Sequence, residues 1–166
     1  MIELRLAKLA MVATLALFAF LVAFGNITDY GSNFAFVRHV LSMDTTFPGN
    51  ALTWRAITNP LMWHAVYWLI ILGEALTCIA FTAGAVELLR ALRASGERFN
   101  RGKRFVFVGV ALGFLVWFFG FMVVGGEWFA MWQSQTWNGQ EAAFRFYVAL
   151  LGVAVFVNQQ DRDLPG

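Results

Sequence analysis

Charge is what this chain has least of. Only 13% of its 166 residues are Asp, Glu, Lys or Arg, about half the share of a soluble domain, while 60% are hydrophobic and 17% aromatic. The apolar residues are gathered into long uninterrupted runs, which excludes both a water-soluble enzyme and a disordered chain. A single cysteine, Cys78, excludes an internal disulfide and any CxxC metal or redox motif. Two histidines are no enrichment for metal binding. No nucleophile–base pair, phosphate-binding loop or dinucleotide fingerprint occurs, so no enzyme activity is expected. No internal repeat is detectable, so a small transporter built from inverted halves would need to oligomerise. The net charge of +2 is mild and its basic residues cluster in one region, which speaks to membrane orientation and against nucleic acid.

What is present is four apolar segments. The run LAMVATLALFAFLVAF over residues 9–24 carries no charge and follows Arg5 and Lys8. A signal peptide opens in the same way, but the run is long for a signal core, and it is read as a retained first membrane helix. The second segment is interrupted only by His64 and Glu74, the third is closed by Gly125 and Gly126, and the fourth carries Arg145 near its start. A helix rises about 1.5 Å per residue and must cross roughly 30 Å of hydrocarbon. The expected fold is therefore a single all-α membrane domain, a four-helix transmembrane bundle with spans at 6–24, 61–88, 105–124 and 141–158. Loops 25–60 and 125–140 fall on one side, and loop 89–104 falls on the other.

Lys and Arg set the orientation. Arg90, Arg93, Arg98, Arg101, Lys103 and Arg104 lie between the second and third spans, Arg5 and Lys8 precede the first, and Arg162 follows the fourth. The opposite loops hold only Arg38 and Arg55, balanced by Asp29, Asp44 and Glu127. Both termini are expected on the cytoplasmic side of a bacterial inner membrane, with the other two loops periplasmic. The basic segment reads as an orientation signal with attraction to anionic lipid. The long first loop is expected to fold rather than turn back simply. Within it NFAFVRHVLSM places Phe34, Val37, Val40 and Leu41 at helical spacing behind Ser32, a short surface helix that Ser32 is positioned to cap. Six tryptophans, Trp54, Trp63, Trp68, Trp128, Trp132 and Trp137, lie in or beside these two loops. An aromatic belt ordinarily marks both interfaces, and the one-sidedness points to a folded cap that includes His39, Asp44, Glu127, Trp128, Trp132 and Trp137.

Glu74 is the first candidate for chemistry. An ionised carboxylate midway along a membrane helix costs at least a few kcal/mol, so it must face the bundle interior and stay protonated or find a partner. Steps of three and four place His64, Tyr67, Ile71, Glu74, Cys78, Phe81 and Ala85 on one stripe, expected to be the inward face. Glu74 reads as a proton carrier, a cation ligand or a hydrogen-bond partner for a quinone or lipid headgroup. The other reading, and the favoured one, is a protonated acid bonded to a backbone carbonyl, Thr14 or Thr77. Arg145 follows Glu141 by four residues, the favourable order for an ion pair; a substrate contact or a reach toward Glu74 is the other reading. Imidazole and carboxylate from His39, Asp44, His64, Asp29 and Glu127 would suit zinc, copper or iron, but no pair has ligand spacing. His64 and Glu74 are separated by about 15 Å of helix. No metal is assigned and the cofactor is unknown. Gly109-x-x-x-Gly113 with Gly120, and Ala16, Ala19 and Ala23, offer small-residue faces for an internal contact or a dimer interface.

The stretches DYGSNFAFVRHVLSMDTT (29–46), RAI (55–57) and GGEWFAMWQSQTWNG (125–139) resemble an uncharacterised bacterial family of predicted small integral membrane proteins, along essentially the whole chain. The resemblance implies the four-helix topology and a bacterial inner membrane, and it carries over no catalytic residues. The expected function is a non-enzymatic accessory or interaction subunit docking a membrane-protein partner or a second copy. The alternative is a small proton- or cation-linked carrier or ligand-binding protein centred on Glu74, with His64, Tyr67 and Arg145 as further candidates.

Overall fold

The computed structural model describes residues 1–164, and the described residues are mostly helical, with no strand among them. Six helices occur in the order α1 Ile2–Thr28, α2 Tyr30–Ser42, α3 Pro60–Arg90, α4 Gly96–Gly102, α5 Arg104–Phe114, which continues as a π-helix over Leu115–Trp128, and α6 Gln140–Asn158. Four stretches are long and apolar enough to cross a membrane: α1, α3, α4–α5 with its π-helical continuation, and α6. They neighbour one another in the ring α1, α3, α5, α6, with α6 returning to α1. Residues such as Leu17, Phe20, Leu72, Ile79 and Val155 are exposed on the outside. A helix apolar on every face is stable only where its outer face meets lipid, and the bundle is that of an integral membrane protein.

Small residues set the helix spacing. A Cβ on Gly109 would lie 2.7 Å from the ring of Phe81, and one on Gly113 would lie 2.5 Å from Leu150. On the facing helix, Gly73 and Gly84 are closed off in the same way by Val116 and Val106. Ala16, Ala19 and Ala23 are buried on the inner face of α1. The Gly109-x-x-x-Gly113 face is therefore used inside the bundle, where backbones approach closely. Beyond Phe114 the helix widens, and its backbone bonds span five residues, as from the Phe129 amide to the Val124 carbonyl at 3.0 Å. A π-helix this long is rare, and such segments favour functional sites. This half of the rod packs mainly on α6, whereas the α-helical half packs on α3.

The first helix runs past the apolar block, through Gly25 and Asn26 to Thr28, because the roof helix α2 begins only one residue later and continues its packing. Asp29 holds the N-cap position of α2, and the Ser32 hydroxyl donates to its Oδ1 at 2.9 Å. Ser32 is thus inside the helix and does not cap it. Val37, Val40 and Leu41 are buried against α3 and the second loop. The loops on this side interlock. Gln133 Oε1 accepts from the Phe47 amide at 3.0 Å and from Asn50 Nδ2 at 3.1 Å, and Thr45 donates to Ser134 at 2.9 Å.

At the opposite end, three of the residues read as an orientation signal also have a structural role. Arg5, Lys8 and Lys103 are buried. Lys8 and Lys103 each place Nζ 2.6 Å from Oδ2 of Asp161, and both also donate to the Gln159 carbonyl. Arg5 donates to the carbonyls of Leu92, Ala94 and Arg162. Buried cations persist only when paired and fully hydrogen-bonded, and the segment after α6 supplies the acceptors. Gly96 lets this segment pass, since a Cβ there would sit 2.4 Å from the Asp161 carbonyl. Burial opposes the charged form of Asp161, but the Lys103 and Lys8 ammonium groups outweigh it and hold the carboxyl below the ordinary aspartate range. Only the outer arginines of the basic loop meet solvent or Glu87 and Glu97.

Candidate functional site

Under the roof formed by α2 lies a cavity of about 220 Å³ at the centre of the bundle. Its polar groups are Glu74, Asn26, Tyr67 and Asn33, and aromatic rings from α2, α3, the π-helical segment and α6 form much of the remaining wall. Glu74 is 2% exposed and accepts a hydrogen bond on Oε2 from Asn26 Nδ2 at 2.7 Å. Tyr67 donates to the Asn26 carbonyl at 2.9 Å. Asn26 thereby links an acid in the middle of α3 to a phenol two turns nearer the roof. Its position continues the inner stripe of α1: Arg5, Lys8, Val12, Leu15, Ala19 and Ala23 are buried at steps of three and four, and one more step of three reaches Asn26. That extrapolation was the signal available in the sequence, masked by the end of the apolar run.

The wall rings are held in place by packing. Trp117, from the π-helical segment, is 2% exposed, with Phe18 at 5.5 Å and Phe146 at 5.8 Å between ring centroids. Phe36 of α2 and Phe121 stack at 5.9 Å. Both press against the start of α6, where a Cβ on Gly139 would meet them at 2.9 and 3.1 Å.

The inward stripe of α3 is Tyr67, Ile71, Glu74, Thr77, Phe81, Gly84 and Leu88. Cys78 and Ala85 are displaced from it by Thr77 and Gly84, because steps of three let α3 approach α5 at small side chains. Thr77 donates to the Gly73 carbonyl and Thr14 to the Ala10 carbonyl, so neither partners Glu74. His64 is exposed, bonded through Nδ1 to the Tyr30 hydroxyl at 2.7 Å and stacked on Phe34 at 4.1 Å. Burial raises the Tyr30 phenol above its ordinary pKa, so it stays neutral beside the imidazole. Arg145 is exposed and paired with Glu141; it does not reach Glu74.

The cap residues separate into distinct contacts. His39 pairs with Asp44 at 2.8 Å and stacks on Trp137 at 4.6 Å. Trp132 meets Phe47 edge-on at 5.8 Å, and Trp128 meets Trp54 at 6.0 Å with Arg55 over its ring at 4.6 Å. Glu127 is exposed and makes no ion pair among the described residues. No three His, Cys, Asp or Glu side chains converge on one point among the described residues.

A ring of four lipid-facing rods around a buried acid–amide–phenol group defines a polytopic helical membrane protein whose polar site lies within the bundle. The chain belongs to the family described as predicted small integral membrane protein (DUF2165), whose profile matches residues 4–160, a domain of unknown function. No curated protein and no solved structure matches it.

Proposed function

We propose that this protein is a non-enzymatic ligand-binding protein of the bacterial inner membrane, centred on Glu74. The observation that supports this reading is the cavity itself. A carboxyl group deep in a membrane bundle is costly, and packing could have closed around it; instead it borders open space with three further polar side chains. Polar groups converging on a mostly apolar pocket are the usual constitution of a small-molecule site. The test is native mass spectrometry of protein extracted gently from its membrane. A mass carried by the wild type is expected to be lost in Glu74→Leu and kept in Trp132→Ala; identical bound masses in wild type and Glu74→Leu would overturn the reading.

The excess of Lys and Arg at the end bearing Arg90 to Arg104 supports cytoplasmic termini and a periplasmic cap. A membrane-impermeant maleimide is expected to label a cysteine introduced at Gln135, and not one at Arg93, in intact cells.

An accessory subunit docking a partner protein or a second copy is supported by one feature, the exposed aromatic group Trp54, Trp128, Trp132 and Phe47 on the cap. Large exposed apolar patches mark interaction surfaces. In-membrane crosslinking at Trp132 is expected to trap that partner; a strictly monomeric product would remove this reading.

A further inference from the structure

We infer that the ligand is a phosphate-free organic cation with a hydrocarbon tail, its ammonium group in the chamber at Glu74 and its tail in the neighbouring groove between α3 and the π-helical segment. The inference rests on the ligand-binding reading above and specifies its chemistry. Among the described residues, Glu74 is the one carboxylic acid on the chamber wall, and no Lys, Arg or His lines the chamber. An anionic or phosphate-bearing head would therefore be buried without a counter-charge, at high cost. Five rings, Phe36, Tyr67, Trp117, Phe121 and Phe146, surround the same space. Aromatic faces around an acid form the cage that recognises alkylated ammonium groups, and each desolvated cation–π contact adds to the attraction of the carboxylate.

The tail is accounted for by a second cavity. A groove of about 510 Å³, lined only by apolar side chains and glycine, runs along the gap where the π-helical segment leaves α3. Phe36, Val37, Ile70 and Phe121 line both spaces, so the two share a wall. On its far side the groove is bordered by Leu69, Leu115 and Phe119, each more than half exposed, so it opens laterally toward the acyl chains. A lipophilic cation partitioned into the bilayer would reach Glu74 by this route without crossing the cap.

Matched probes test the assignment on the full chain in neutral-lipid nanodiscs by calorimetry. Dodecyltrimethylammonium is expected to bind saturably and at least tenfold more tightly than dodecylphosphocholine or dodecanoate. Glu74→Gln, which keeps the shape and removes the charge, is expected to weaken it tenfold or more, and Phe146→Leu severalfold. At Gly120 an added Cβ meets nothing closer than 3.7 Å, so Gly120→Leu fills the groove without forcing the backbone. It is expected to weaken dodecyltrimethylammonium and to leave tetramethylammonium unchanged. Equal affinity for the phosphocholine or carboxylate probe overturns the cation assignment, as does an unchanged affinity in Glu74→Gln. A co-purifying mass that is still lost in Glu74→Leu would then leave the ligand-binding reading standing.

Discussion

Asn26 and Glu74 meet across 2.7 Å although 48 residues separate them in the chain, and their bond fixes the last turn of α1 against the middle of α3. Removing one partner leaves the other buried and unsatisfied, which costs about 1–3 kcal/mol. Asn26→Leu is therefore expected to lower the unfolding midpoint in detergent, and Glu74→Leu in Asn26→Leu to recover part of the loss. A double-mutant cycle reads the coupling directly; strict additivity would mean that the bond holds nothing.

Asp161 stands between two buried ammonium groups. Breaking a buried pair from one side costs about 3–5 kcal/mol, so Asp161→Asn is expected to be among the most destabilising single changes at this end. Its folded pKa lies below the unfolded value. The stabilisation it brings is thus fully present above the unfolded value, about 4, and is lost as pH falls through the folded value. Wild-type stability should be flat on this account between pH 5 and 8 and fall in stronger acid, whereas Asp161→Asn should lack that acid limb.

Two glycines make a matched pair. Gly109 faces the fully buried ring of Phe81, whereas a Cβ on Gly152 meets nothing within 4 Å. Gly109→Ala is expected to cost about 1–3 kcal/mol through overpacking, and Gly152→Ala to be neutral or slightly stabilising, both by thermal unfolding in micelles.

Arg145 is paired with Glu141 on the exposed surface of α6, and exposed pairs of this kind contribute little. Arg145→Ala is expected to change neither the melting temperature nor the affinity of the Glu74 chamber. A tenfold loss of ammonium binding would contradict this placement.

Gln133 ties the two cap loops through Phe47 and Asn50. Gln133→Ala is expected to speed proteolytic cleavage of the segment between α2 and α3 severalfold, with the membrane helices left intact on a gel.

The four rods were legible because crossing hydrocarbon imposes a length and an apolarity that few other folds share. The inward turn of Glu74 was legible for the same reason: lipid cannot accept its charge. Asn26 was hidden by the glycine that ends the apolar run, which reads as the start of a loop; only the buried stripe of α1 carries on through it. Asp161 was hidden by distance, since 153 residues separate it from Lys8 and no local pattern connects an acid after the last span to a lysine before the first. The widened turn that begins at Leu115 left no trace, because from Leu115 to Gly126 no charged residue reports how many residues make a turn. That turn borders the groove between α3 and the π-helical segment, so the wall of this cavity was also the least readable part of the molecule.

The knot of Lys8, Lys103 and Asp161 has a consequence for biogenesis. Two of its cations emerge from the ribosome well before the acid that neutralises them, so Lys8 and Lys103 must wait unneutralised until α6 has been inserted and the segment after it has closed on them. The base of the bundle closes last, and a chain halted after α5 should remain splayed and exposed to membrane proteases however firmly its first three spans are anchored.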